Sequence, residues 1–190
     1  MMKANPTLVA GVRGCKACPL HLTRTLAIPG WVGEKYAGTL GAICEAPSFN
    51  EDQQGKPLVG RAGELFDEIL SQLGIDRESL FITHMVRCRP LSNDLSRVPE
   101  AVVACNSWLK EELNAYQPKV ILLMGRTAIE SAFGKVAVGA IRGTYTKLDG
   151  IVYVATYHPA AALRNRDLIP HIMEDVELAR QLSESYKETH

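Results

Sequence analysis

Four short apolar runs, each bounded by glycine, proline or polar turn residues, punctuate this chain: Thr39–Cys44, Leu80–Val86, Lys119–Met124 and Ile151–Thr156. Runs of this length, rich in Ile, Leu and Val, predict strands buried on both faces. Between them the period lengthens. Leu65, Phe66, Ile69, Leu70 and Leu73 share one helical face and stop at Gly74, which predicts a helix with a glycine at its end. Pro99 opens a second helix through Leu113, and Arg126–Phe133 and Asp167–Leu182 supply two more. Strands alternating with helices imply a three-layer α/β/α sandwich around a central, mostly parallel four-stranded sheet. In such sheets ligands bind beyond the carboxyl ends of the strands. That rule selects the loops at Glu45, His84–Pro90, Gly125 and Tyr157.

Composition adds bounds rather than chemistry. With 190 residues, 46% of them hydrophobic, the chain is expected to form a single domain over 1–190. Lys plus Arg and Asp plus Glu both number 21, so net charge favours no polyanionic partner, but the charges are segregated. Lys119 to Arg166 carries seven basic residues against Glu130 and Asp149, whereas Asp167 to His190 carries six acidic residues against Arg180 and Lys187. This pattern fits one basic face and one acidic helix, or an ordinary scatter of surface charge. No apolar run of membrane-spanning length and no secretory leader pattern is present, so an intracellular, cytoplasmic protein is expected.

The cysteines carry the first chemical signal. Cys15-x2-Cys18 is followed by Cys88 and Cys105, and in a reducing compartment two separated pairs read as a metal centre rather than as disulfides. Spacing alone fits four-thiolate zinc, the commoner use, or a four-iron, four-sulfur cluster. The fifth, Cys44, ends an apolar run and reads as a buried strand thiol.

Several separated motifs then agree in order and spacing. Cys44-Glu-Ala-Pro-Ser48 precedes Glu51-Asp52 and Gly55-Lys-Pro-Leu-Val-Gly-Arg-Ala-Gly63; Thr83-His-Met-Val-Arg-Cys-Arg-Pro90, Pro118-Lys-Val-Ile-Leu-Leu-Met-Gly125, Ile141-Arg-Gly143 and Thr156-Tyr-His-Pro-Ala-Ala-Ala-Leu-Arg164 follow. Together they resemble the family-4 uracil-DNA glycosylases, over about Cys15 to Leu178. The resemblance implies a four-iron, four-sulfur cluster on Cys15, Cys18, Cys88 and Cys105, structural rather than redox-catalytic, with zinc as the alternative. It implies DNA as partner, with no membrane, no obligate protein partner, a monomer, and residence at the prokaryotic nucleoid.

Two departures from the family pattern fall in the base pocket, beside Ala46 and Pro47. His84 stands where the family has an Asn that reads the uracil edge, and Leu58 where it has a Phe that stacks on the flipped base. An amide offers a donor and an acceptor side by side, whereas a neutral imidazole offers one of each on opposite sides of its ring. These exchanges read either as drift or as a pocket retuned for a bulkier modified pyrimidine, such as the glucosylated hydroxymethylcytosine of phage genomes. The second reading would serve defence against phage. It also expects His84 or His158 to donate a proton or a strong hydrogen bond to the departing base, with activity falling as pH rises through that histidine's titration.

Glycosidic cleavage needs a donor at the base oxygen, a carboxylate near the cationic sugar and a water. The resemblance gives His158 and Glu45 these catalytic roles. A base inside a duplex must be flipped out, with Leu163 or Arg164 as the wedge that fills the gap. Arg87, Arg89, Arg142 and Arg166 are candidate phosphate contacts. In the segments that carry Glu45, His84 and His158 the one lysine is Lys56, at a position where the family commonly has Arg, so lyase chemistry is not expected and a monofunctional glycosylase is. A non-catalytic binder of modified DNA, an enzyme of free nucleosides and a polymerase-associated domain are the competing classes.

Overall fold

The structure, a computed structural model, describes residues 3–188; the outermost residues of the expected 1–190 domain lie outside the described residues. Asn5 caps α1 (Pro6–Gly14) by accepting from the amides of Thr7 and Leu8, with Pro6 in the first turn, where its missing N–H costs nothing. After β1 (Trp31–Val32) and β2 (Leu40–Cys44) come α2 (Phe49–Gln54) and α3 (Arg61–Gln72), then β3 (Leu80–His84) and α4 (Glu100–Tyr116). The chain continues through β4 (Val120–Met124), α5 (Arg126–Phe133), α6 (Val138–Ile141), β5 (Tyr145–Leu148) and β6 (Ile151–Thr156). It closes with α7 (Pro159–Ala162) and α8 (Leu168–Glu188).

The sheet has six strands in the order β1-β3-β2-β4-β6-β5, which corrects the expected four. The four inner strands are the expected ones and run parallel; β1 and β5 are antiparallel additions at the two edges. Every residue of β2, β3 and β4 is buried, as continuous apolar runs require when helices cover both faces. Alternation along β2 sorts the core. Leu40 and Ala42 face α3 and α8 through Phe66, Ile69, Ile172 and Val176, whereas Ile43 joins Leu109 of α4 and Ile129 of α5 on the other side. The result is an α/β/α sandwich.

Strand order reverses between β2 and β4, where the chain leaves for opposite sides of the sheet. Such a switch point opens a crevice beyond the carboxyl ends. Register places those ends level, with Cys44 opposite His84 and Met124 opposite Thr156. Glu45, Gly125 and His158 therefore emerge around one opening.

Candidate active site

A cleft of about 980 Å3 occupies this opening, with Glu45, Ala46, Pro47, Leu58, His158 and Arg164 in its lining. Its floor is built around a buried carboxylate. Ser48 begins α2 with a reciprocal capping arrangement, in which the Glu51 side chain reaches back to the Ser48 amide at 2.6 Å. The other Glu51 oxygen accepts from the Leu58 amide at 2.6 Å and meets His84 Nε2 at 3.1 Å. Burial opposes ionisation of Glu51, but His84 and the Ser48 donors outweigh it and hold the carboxyl at about 2. Asp52, also buried, accepts from the amides of Thr25 and Leu26 and ties that loop to α2.

Leu58 is buried among Leu65, Phe66 and Ile69 while also touching the cleft. Its backbone is left-handed, at φ 49, a conformation that costs a residue with a Cβ about 1–2 kcal/mol. The surrounding bonds enforce it: the amide is held by Glu51, and the carbonyl accepts from Arg77. Gly63 is required below, because a Cβ there would stand 1.9 Å from the Leu58 carbonyl oxygen.

His158 caps α7, with its Nδ1 accepting from the Ala160 amide at 3.1 Å. An accepting Nδ1 leaves the neutral ring's proton on Nε2. Burial is the main cause that lowers the His158 pKa to about 4; nearby Glu51 opposes it, while His84 and Arg164 reinforce it. The ring is thus neutral at physiological pH and donates through Nε2. Gly125, at φ 92, lets the β4 loop pass close to this histidine: a Cβ there would meet the His158 Cβ at 3.3 Å.

The arginines divide sharply. Arg87 is 1% exposed and pairs with Glu112 at 2.7 Å, which corrects its reading as a phosphate contact. It also donates to the His84 carbonyl, so it braces the end of β3. Glu112 accepts in addition from Gly30 N and Thr83 Oγ1. Arg142 is likewise committed, to Asp175, Glu174 and the His171 carbonyl on α8. Arg89 lies over the exposed Phe49 ring at 5.0 Å and donates to Asn93, while Arg164 and Arg166 are exposed. Leu163 packs back onto the core, which leaves Arg164 as the freer of the two wedge candidates.

Cys18, Cys88 and Cys105 meet in one cluster with Val12, Leu20 and Ala101, and Cys15 lies near enough to Cys105 to act on it electrostatically. Arg24 donates to the Cys88 sulfur at 3.0 Å and to the Cys15 carbonyl at 2.7 Å. Burial pushes the Cys88 thiol up to about 11, so it keeps its proton unless a cation replaces it. Among the described residues no group of three or more His, Cys, Asp and Glu side chains is arranged to hold a metal ion. The donor set nevertheless fits a thiolate-held centre, with four free cysteines and a cationic hydrogen-bond donor on one sulfur.

Residues 39–179 match the model of the uracil DNA glycosylase superfamily. The chain is 38% identical to a type-4 uracil-DNA glycosylase of Thermotoga maritima, with 89% of each chain covered. Similar enzymes of Sulfurisphaera tokodaii and Archaeoglobus fulgidus are 37% and 32% identical, over 90% and 93% of this chain and 81% and 89% of theirs. A fold wound about this switch point, with carboxylate and histidine at its mouth, thus belongs to the uracil DNA glycosylase superfamily. The chain is a DNA glycosylase, hydrolysing N-glycosidic bonds, and it binds DNA. No helix among the described residues is long and apolar enough to cross a membrane.

Sequence reasoning assigned no role to Glu51 or to the cleft walls at Asn93, Asp94, Ser96, Arg126, Thr127 and Glu130. The signal for Glu51 was present, since Ser48-x-x-Glu51 has the capping-box spacing. The walls carry no motif, and only folding brings them to the opening.

Proposed function

We propose that this enzyme flips a modified, amine-bearing pyrimidine from DNA and hydrolyses its glycosidic bond, leaving an abasic site without cutting the strand. The observation that carries this reading is the cleft itself. At about 980 Å3 it lies at the upper end of the range for drug-sized ligands, well beyond a single ring, and its walls extend past His158 to Asp94 and Glu130. Carboxylates repel phosphate but accept from hydroxyl groups, which suits a polar substituent on the base. Packing Leu58 into the core leaves that space open.

In the proposed reaction the flipped base sits against Ala46, Pro47 and Leu58. Neutral His158 directs its Nε2–H at the base oxygen on which electron density collects. Glu45 orients the attacking water and offsets the positive charge on the sugar. Arg164 occupies the vacated stack, and Arg89 and Arg166 hold flanking phosphates. Cys15, Cys18, Cys88 and Cys105 would hold a four-iron, four-sulfur cluster, which supplies structural cross-linking of α1 to α4 rather than chemistry. The setting is bacterial or phage-infected cytoplasm, at the nucleoid, in defence against modified phage DNA.

Release of uracil in base-excision repair is the second reading, favoured by the type-4 relatives at 32–38% identity. The two separate in one assay. DNA carrying uracil, hydroxymethylated cytosine or its glucosylated form is incubated with the protein and scored for alkali-labile sites. Efficient release of uracil with inertness toward every bulky base would overturn the proposal.

A further inference from the structure

A strap of chain between α1 and β1 touches both the cysteine cluster and the floor of the cleft. At one end Arg24 donates to the Cys88 sulfur at 3.0 Å and to the carbonyls of Arg13 and Cys15 at 3.2 and 2.7 Å. The guanidinium thus holds the loop of the Cys15–Cys18 pair against Cys88. The next residues turn to α2. Asp52, 2% exposed, gives both carboxylate oxygens to backbone amides of the strap: Thr25 N reaches them at 2.9 and 3.0 Å, and Leu26 N reaches the first at 3.1 Å. Gln53 adds a bond to the Thr25 hydroxyl at 2.8 Å. Two residues on, Ile28 N donates at 2.8 Å to the carbonyl of Arg87, the neighbour of Cys88 and the residue that grips the end of β3.

Both attachments resist slack. A buried carboxylate only accepts, so drawing the strap away from Asp52 would leave a charged group unsatisfied and cost about 1–3 kcal/mol or more. A metal-bound Cys88 sulfur would carry negative charge, which turns the Arg24 contact into a charge-assisted bond. Asp52 follows Glu51, whose two oxygens hold the Ser48 and Leu58 amides that shape the floor. Neither Arg24 nor Asp52 lines the cleft, so each acts on it through α2. We infer that Arg24 and Asp52 are positioning residues that couple the cysteine centre to the cleft: with a metal held by the four thiolates, the strap sets α2, and through it Glu51 and the Leu58 wall. The inference rests on the thiolate-held centre proposed above and not on which base is released.

The test compares the full metal-loaded chain with three variants. Asp52→Asn replaces one accepting oxygen with an amide N–H that opposes the strap, and it leaves the cysteines untouched. It should keep its metal, measured per chain by elemental analysis, yet speed hydrogen–deuterium exchange of the Ser48 and Leu58 amides about tenfold or more, because those bonds open locally once the floor is loose. Maximal single-turnover release from the oligonucleotide that the unaltered protein attacks fastest should fall about tenfold or more, while the protein concentration at half-maximal rate stays within about twofold, since small misplacements act on the reacting centre rather than on the grip. Arg24→Gln loosens the other end. It should yield its metal to a chelator about tenfold faster and show the same faster exchange at Ser48 and Leu58. Tyr36→Phe is the control, because it removes a buried bond to the Tyr116 carbonyl ahead of β2 and β4, at the end of the sheet away from the cleft. It should lower the urea midpoint and leave exchange at Ser48 and Leu58 unmoved. Exchange there within about twofold of the unaltered protein in both strap variants, or a change as large in Tyr36→Phe, would overturn the inference. A chain that binds no metal would remove the thiolate centre beneath it and overturn it by that separate route, which the elemental analysis reports; if no base is released, the exchange data alone decide.

Discussion

In the proposed reaction His158 is a neutral donor, because its Nδ1 is spent on the Ala160 amide and burial holds the ring near a pKa of about 4. For His158 this leaves the hydrogen-bond form of the expectation, and places its titration in acid rather than across neutral pH. A pH–rate profile under single-turnover conditions should be level from about pH 6 upward as far as His158 is concerned and should fall with acid as pH approaches 4. His158→Ala should lose roughly a hundredfold or more in rate, in line with the removal of one positioned donor. Stability follows the same sign. The unfolded histidine protonates near 6.5 and the folded one only near 4, so the unfolded state gains protons first and stability declines as pH falls between those values. Glu51, depressed from 4.5 to about 2, extends the loss further into acid. At the proposed base pocket, Leu58→Phe with His84→Asn should raise uracil release relative to amine-bearing bases by about tenfold or more, measured as the ratio of rates on matched oligonucleotides.

The elements that sequence reasoning found are those whose burial is continuous or strongly periodic. β2, β3 and β4 are buried at every residue, and α3 repeats its apolar face through Leu65, Phe66, Ile69 and Leu70. The edges escaped because they carry almost no pattern: β1 is two half-buried residues, and β5 is mostly exposed. The site divides in the same way. The place of Glu45 and His158 in the cleft lining was legible from the loops that follow β2 and β6, whereas the fate of Arg87 was not, since its partner Glu112 lies 25 residues away on α4. That pair joins β3 to α4 inside the protein, with Thr83 and Gly30 as further donors to the same carboxylate. Removing one member of a buried pair strands the other's charge. Glu112→Ala should therefore destabilise the fold by about 3–5 kcal/mol, read as a shift in the urea unfolding midpoint, while Arg89→Ala at the rim should move it little.

Across the whole molecule, charge and cysteines link folding to DNA. A protein with the proposed cluster should be brown, bind iron and lose colour and soluble folding together on Cys88→Ala or Cys105→Ala; a colourless protein with one zinc would sink the iron assignment. Its grip on DNA should be light. Basic and acidic residues balance at 21 each, and the structure withdraws two of the expected phosphate contacts by burying Arg87 and engaging Arg142 with α8. Arg89, Arg164 and Arg166 remain from that set, and each phosphate neutralised releases condensed counterions. Three such contacts on duplex DNA give a slope of log Kd-derived affinity against log salt of about −3, far shallower than that of proteins with broad basic faces. Arg164→Ala and Arg166→Ala should each reduce the steepness by about one, whereas Arg142→Ala should leave the slope unchanged and lower stability instead. Titrations of a cleavage-resistant duplex across several salt concentrations measure this directly, and a slope much steeper than −3 would mean that residues outside this set carry the phosphate contacts.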